Sequence, residues 1–126
     1  MKTILVADDE FDMTSTLRAI LEGEGYHVET CGNGRETLER AEANRPALVL
    51  MDVMMPLVSG FEVLHAMRRN PALASVPVIL MSSIPPGVRR EDYHWQAFLR
   101  KPFGLETLTK TIEQLIGSPA AETGGH

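Results

Sequence analysis

Residues 4–10 read ILVADDE, an uninterrupted apolar run of strand length that ends directly in three acidic residues. A run without polar alternation is typical of a strand buried on both faces, as in a parallel sheet. Two more runs of this kind lie at 48–51 and 78–81, and they are followed by Asp52 and Ser82. The sequence therefore predicts a set of buried parallel strands whose carboxyl ends carry polar side chains.

Amphipathic segments separate these strands. The spacing of their apolar residues predicts helices at 12–23, 34–44, 61–67 and 105–116. Weaker strand candidates lie at 26–30 and 97–100. The helix before the last strand has to follow Pro85-Pro86-Gly87, which leaves residues 88–95, so we expect it to be short or atypical. The pattern predicts an α/β fold with five βα units, a doubly wound five-stranded parallel sheet in the order 2-1-3-4-5.

Composition limits the classes of protein to which the chain can belong. It has 126 residues, 44% of them hydrophobic, and a net charge of −5, which fits one domain and argues against a nucleic-acid-binding surface. No apolar run reaches the roughly 18 residues that span a bilayer, and no signal peptide precedes the first strand. The lone Cys31 indicates a reducing compartment. We therefore expect a cytoplasmic domain at 1–117 without membrane contact, followed by a disordered tail or linker remnant at 118–126.

Polar residues follow four of the five predicted strands. Asp8 and Asp9 follow the first, Asp52 the third, Ser82 the fourth and Lys101 the fifth. The carboxyl ends of parallel strands meet at one edge of a sheet, so in the order 2-1-3-4-5 the three aspartates converge. Their repulsion can be relieved by protonation, by a cationic side chain or by a hard cation such as Mg²⁺. Taken singly, these residues also have ordinary roles as helix caps, turn residues or solvated charges.

Four motifs, in order, carry a resemblance to a known family. Residues 4–10 resemble the opening strand and acidic pair of bacterial response-regulator receiver domains, which have a CheY-like, flavodoxin-like fold. The stretch 52–60, DVMMPLVSG, is similar to the family's phospho-acceptor loop. Residues 81–83 resemble its hydroxyl position, and 101–103 resemble its terminal Lys-Pro-Phe. The resemblance covers nearly the whole chain and implies a phosphoprotein of two-component signal transduction.

The resemblance also implies roles for individual residues. Asp52 would be the nucleophile that accepts a phosphoryl group. Asp8 and Asp9 would hold Mg²⁺ or Mn²⁺ together with an Asp52 oxygen and the backbone carbonyl of Met54. Lys101 would neutralise charge on the transferring phosphoryl group. A chain with these roles catalyses only its own phosphorylation and dephosphorylation.

Two further residues belong to the switch that the resemblance implies. Ser82 would donate a hydrogen bond to a phosphoryl oxygen and move toward it, which opens space for an aromatic side chain. Phe98 occupies the family's aromatic switch position, although its apolar neighbours fit an ordinary core residue equally well. The bond between Lys101 and Pro102 resembles one that the family holds in cis.

The segment between Ser82 and Lys101 departs from the family pattern. It is a few residues short and has a proline pair where a helix normally begins. A displaced helix would present Tyr93, His94 and Trp95 to a partner as an output surface. Alternatively, Trp95 folds back onto the sheet as part of the core.

Partners and competing functions follow from the same comparison. The implied partners are a sensor histidine kinase or a histidine phosphotransfer protein and a downstream protein target, with the chain acting as a monomer or a phosphorylation-dependent dimer. It is either a stand-alone regulator or the receiver of a longer one.

Three other functions compete with this one. A flavodoxin-like cofactor binder would need a phosphate-binding loop at residues 8–10, which are acidic in this chain. An aspartate-nucleophile phosphatase would need an acid where Met54 stands. A phosphorylation-independent interaction module stays open because of the altered segment.

Overall fold

The computed structural model describes residues 1–119. Its strands are β1 (Thr3–Ala7), β2 (His27–Cys31), β3 (Leu48–Asp52), β4 (Val78–Ser82) and β5 (Ala97–Arg100). Its helices are α1 (Phe11–Gly23), α2 (Gly34–Ala43), α3 (Gly60–Arg69), α4 (Arg90–Tyr93) and α5 (Leu105–Ile116). All pairs are parallel in the order β2-β1-β3-β4-β5, which confirms the predicted doubly wound sheet. The predicted tail at 118–126 lies almost wholly outside the described residues. Within residues 1–119, no helix combines the length and apolarity that crossing a membrane requires.

The central strands pack against two apolar cores because successive side chains of a strand point to opposite faces. Leu5 and Val49 belong to the core shared with α2 and α3. Val6 and Leu50 belong to the core shared with α1 and α5. Burial on both faces explains why these strands read as continuous apolar runs.

The loop between β3 and α3 is held at both ends. A capping box between Ser59 and Glu62 fixes the first turn of α3. On the other side, the backbone N–H of Gly34 at the start of α2 donates to the carbonyl of Pro56 over 3.4 Å. A Cβ atom on Gly34 would lie 1.9 Å from the carbonyl oxygen of Val58, so only glycine permits this approach. The start of α2 therefore packs directly on the loop that follows Asp52.

The segment between β4 and β5 contains a single turn of helix. α4 lies inside the predicted window of 88–95 but has only four residues. Arg89 before it is extended, and His94 after it has a left-handed backbone with φ of 62°, so the helix ends on both sides. A left-handed conformation is uncommon for a residue other than glycine. The expectation of a short helix is confirmed.

Trp95 belongs to the core and therefore does not form part of an exposed output surface. Its side chain is only 5% exposed. Its ring lies 6.1 Å from that of Phe61 and 5.9 Å from that of Phe98. Of its two neighbours in that hypothesis, Tyr93 is half-buried and His94 is exposed. The indole is thus a core side chain that packs between Phe61 and Phe98.

Arg68 of α3 ties the segments before β4 and β5 together. Its guanidinium donates to the carbonyl oxygens of Val76 at 2.8 Å and His94 at 3.1 Å. It also donates to the side-chain oxygen of Gln96 at 2.9 Å, which accepts the N–H of Val78 as well. One side chain therefore satisfies backbone groups from both sides of α4.

Replacing Arg68 with alanine is expected to lower the free energy of unfolding by about 2 kcal/mol, because hydrogen bonds to charged groups are stronger than neutral ones. Urea denaturation followed by the fluorescence of Trp95, the single tryptophan, measures the change. Arg69→Ala is the matched control, since Arg69 is exposed and its loss should change stability by no more than about 0.5 kcal/mol. Equal losses in the two variants would show that the hydrogen bonds of Arg68 contribute nothing specific.

Candidate functional site

Asp8, Asp52 and Lys101 meet at the carboxyl edge of the sheet. Asp8 is 2% exposed and Asp52 is 6% exposed. The ammonium of Lys101 donates to Asp8 Oδ2 at 2.8 Å and to Asp52 Oδ2 at 2.9 Å. One cation thus bridges two buried carboxylates, and two of the three aspartates that were expected to converge do so.

The backbone fixes the other oxygen of each aspartate. Asp8 Oδ1 accepts the N–H of Glu10 at 2.9 Å, and Asp52 Oδ1 accepts the N–H of Met54 at 3.0 Å. Both residues lie two positions beyond the aspartate that they bind, in the turn that leaves the strand. Each carboxylate is therefore oriented from both sides, with one oxygen toward the backbone and one toward Lys101.

The electrostatics of the site follow from two acids sharing one base. Burial raises the pKa of Asp52; the hydrogen bonds from Lys101 and Met54 oppose this, the Asp8 charge adds to it, and the net direction is upward. Burial lowers the pKa of Lys101, but its hydrogen bonds to Asp8 and Asp52 outweigh burial, and the pKa is raised. Lys101 is therefore charged at neutral pH, and its single ammonium faces two carboxyl groups.

A third carboxylate, that of Glu10, completes the cluster. Single oxygens of Asp8, Glu10 and Asp52 lie within 4.8 Å of one another, and Glu10 Oε1 lies 3.6 Å from Lys101 Nζ. Asp9, the predicted ligand, is exposed and is not a member of this group. An all-oxygen, negatively charged donor set fits a hard divalent cation, so the cluster could hold one. The sequence signal for Glu10 was present, because it is the third acid of residues 4–10.

Ser82 lies on the other face of the sheet. It is buried, in phase with Leu80, whose side chain belongs to the α2–α3 core. Its hydroxyl accepts the N–H of Ile84 at 3.2 Å, and its carbonyl accepts the N–H of Lys101 at 2.8 Å. Phe98 pairs with Leu80 in the register of β4 and β5 and is half-buried on the same face. Ser82 is thus joined to the acidic cluster through the backbone of Lys101. The Lys101–Pro102 bond is cis.

Comparison with known proteins identifies the family. Residues 4–113 match the model of the response regulator receiver domain. The chain is 37% identical over 116 residues to the response regulator RR06 of Streptococcus pneumoniae, covering 90% of this chain and 52% of that protein. It is 31% identical to the polar-differentiation response regulator DivK of Brucella anthropi, covering 90% of this chain and 94% of that protein.

A solved structure agrees with these relatives. The receiver domain of the sensor histidine kinase PA1611 from Pseudomonas aeruginosa, which has a magnesium ion coordinated in its active-site cleft, superposes with a TM-score of 0.85 at 26% identity and covers 93% of this chain and 98% of that one. The chain spans about half the length of most curated relatives that it matches. The chain therefore belongs to the response regulator receiver family, whose domains are signalling modules of two-component systems rather than classical enzymes.

Proposed function

We propose that Asp52 accepts a phosphoryl group from the phosphohistidine of a sensor histidine kinase or a histidine phosphotransfer protein. The observation that carries this proposal is the Lys101 ammonium held within 2.9 Å of both Asp8 and Asp52. A carboxylate oxygen of Asp52 attacks phosphorus, the bond from phosphorus to the histidine nitrogen breaks, and the imidazole leaves with the bonding electrons. The ammonium of Lys101 is close enough to Asp52 to stabilise the negative charge on the oxygens of the arriving phosphoryl group.

A divalent cation, Mg²⁺ or Mn²⁺, belongs to the proposed site. Asp8, Asp52 and the backbone carbonyl of Met54 would hold it, with Asp9 as the family resemblance implies and Glu10 as the additional carboxylate of the cluster. When bound, such a cation offsets carboxylate charge and stabilises the transferring phosphoryl group. Three carboxylates around a single lysine are the reason why the site needs this help to accept an anion.

The proposed response to phosphorylation is a population shift between two arrangements. The Ser82 hydroxyl, which now accepts from the N–H of Ile84, would turn to donate to a phosphoryl oxygen. Phe98 lies two register pairs below Ser82 on the same face, so it would move into the space that Ser82 leaves. We further propose that the chain works in the cytoplasm on a downstream protein target, as a monomer or a phosphorylation-dependent dimer.

The direct test is the intact mass of the protein after incubation with a small phosphodonor, with and without Mg²⁺. Wild type is expected to gain one phosphoryl group only with Mg²⁺, and Asp52→Asn is expected to gain none because the nucleophile is gone. Asp92→Asn is the matched control, since Asp92 is exposed on α4 and should leave the gain unchanged. A folded wild type that gains nothing with any donor would favour the alternative, a phosphorylation-independent interaction module.

A further inference from the structure

Four aromatic side chains form a continuous row from β5 to the surface of α3. The ring of Phe98 lies 5.9 Å from Trp95, Trp95 lies 6.1 Å from Phe61, and Phe61 lies 5.2 Å from Tyr93. His65, exposed on α3, approaches Tyr93 edge-on at 6.5 Å. We call Phe98, Trp95, Phe61 and Tyr93 the aromatic row. It leads from the interior beside β4 to the surface between α3 and α4.

The inner end of the row lies on the same face of the sheet as Ser82. Ser82 pairs with Arg100 and Leu80 pairs with Phe98 in the parallel register, so Ser82 and Phe98 face the same core two register pairs apart. Trp95 lies between Phe98 and α3 and is almost fully buried. Protein interiors are packed at crystal density, so a change in the position of Phe98 must be met by its neighbours. The nearest aromatic neighbour is Trp95.

The backbone around Trp95 is fixed in place. The carbonyl of Trp95 accepts from Arg90 Nε at 2.7 Å, and that of His94 accepts from Arg68 Nε at 3.1 Å. The N–H of Gln96 donates to the carbonyl of Val78 at 2.9 Å. Three consecutive residues are therefore held by other elements. With this backbone held, a change at Phe98 would be met by the Trp95 ring and then by Phe61, rather than by a shift of the whole segment.

We propose that the aromatic row transmits the phosphorylation state of Asp52 to the surface around His65 and Tyr93. This inference rests on the proposed function, because it takes the response of Ser82 and Phe98 as its input. The reporting surface is then the seam between α3 and the one-turn α4. In this chain Trp95 is the positioning residue that couples the two ends of the row.

The emission of Trp95 tests the row directly, because the chain has no other tryptophan. Wild type is loaded with a small phosphodonor and Mg²⁺, its occupancy is read by intact mass, and its tryptophan emission is recorded on the same sample. The expected result is a shift of Trp95 emission that grows with occupancy. Amide exchange over residues 88–96 should change by at least about fivefold, the lower end of ordinary coupling between sites.

The Phe98→Leu variant distinguishes transmission through the aromatic row from phosphoryl transfer to Asp52. This variant is expected to gain the phosphoryl group while its Trp95 emission and amide exchange stay constant. Phe103→Leu is the matched control, since Phe103 packs in the opposite core and its loss should leave the Trp95 response intact. Thermal unfolding establishes that both variants are folded.

The outcomes distinguish the two proposals. Absence of a mass gain in wild type overturns the proposed function, and the proposed transmission through the aromatic row falls with it. A mass gain with unchanged Trp95 emission and unchanged amide exchange overturns only the proposed transmission through the aromatic row. A Phe98→Leu variant that keeps the full wild-type response also overturns it, because the signal would then reach Trp95 by another route.

Discussion

Lys101→Met is expected to destabilise the protein by about 3 kcal/mol in the absence of divalent cations, because removing one partner of a buried ion pair leaves uncompensated charge. Lys101 forms ion pairs with both Asp8 and Asp52, whose side chains are almost completely buried. The substitution therefore leaves two buried carboxylates without their cationic partner. The same change is expected to slow phosphoryl uptake by about 10²-fold or more, as for the loss of one preorganised charge partner. Urea denaturation and timed intact-mass measurements give the two numbers.

Two comparisons show whether charge is the cause. Saturating Mg²⁺ should return part of the lost stability, since a bound cation replaces the missing positive charge. Asp52→Asn alone should be at least as stable as wild type, because burial raises the pKa of Asp52 and its ionised form opposes folding. The double variant Lys101→Met with Asp52→Asn should therefore recover much of the loss. A Lys101→Met protein as stable as wild type without Mg²⁺ would contradict the shared-lysine account.

Gly34→Ala is the second substitution with a large expected effect. Its Cβ would lie 1.9 Å from the carbonyl oxygen and 2.6 Å from the carbonyl carbon of Val58, and backbone atoms cannot move aside as a flexible side chain can. We expect a loss of more than about 3 kcal/mol, at the upper end of overpacking, or detachment of α2 from the β3–α3 loop. Because that loop follows Asp52, phosphoryl uptake should fall as well.

Gly23→Ala provides the control for this change. Gly23 is the last residue of α1, and no other part of the described chain packs within 4 Å of the position that a methyl group would take there. Alanine is the better helix former, so the stability of this variant should stay the same or rise by up to about 1 kcal/mol. Urea denaturation of both variants checks the pair, and similar midpoints would refute the close contact between Gly34 and Val58.

The central part of the fold could be predicted because it depends on local pattern. The apolar runs that end at Asp8, Asp52 and Ser82 fix which residues reach the carboxyl edge of a parallel sheet, and topology then brings Asp8 and Asp52 together. Glu10 was missed as a member of the cluster. Its backbone lies in the turn that leads into α1, and only the three-dimensional course of that turn brings its longer side chain to Lys101.

The segment before β5 could not be predicted in detail, because its conformation depends on distant residues. The burial of Trp95 requires Phe61 on α3, and the path of residues 94–96 requires the guanidinium of Arg68. Neither partner is close in sequence. The proline pair limited the length of α4, but it carried no information about which side chain would take the place of the missing turns.

The two faces of the sheet divide the work of the domain. Asp8 and Asp52 lie in phase with the core of α1 and α5, whereas Ser82 and Phe98 lie in phase with the core of α2 and α3. Distant substitutions act additively when they share no contacts. The backbone hydrogen bond from Lys101 to Ser82 joins the two faces, so substitutions away from that link can change the acidic side while the aromatic side stays constant. On the proposed function, recognition of the phosphodonor and recognition of the downstream target can therefore change separately in evolution.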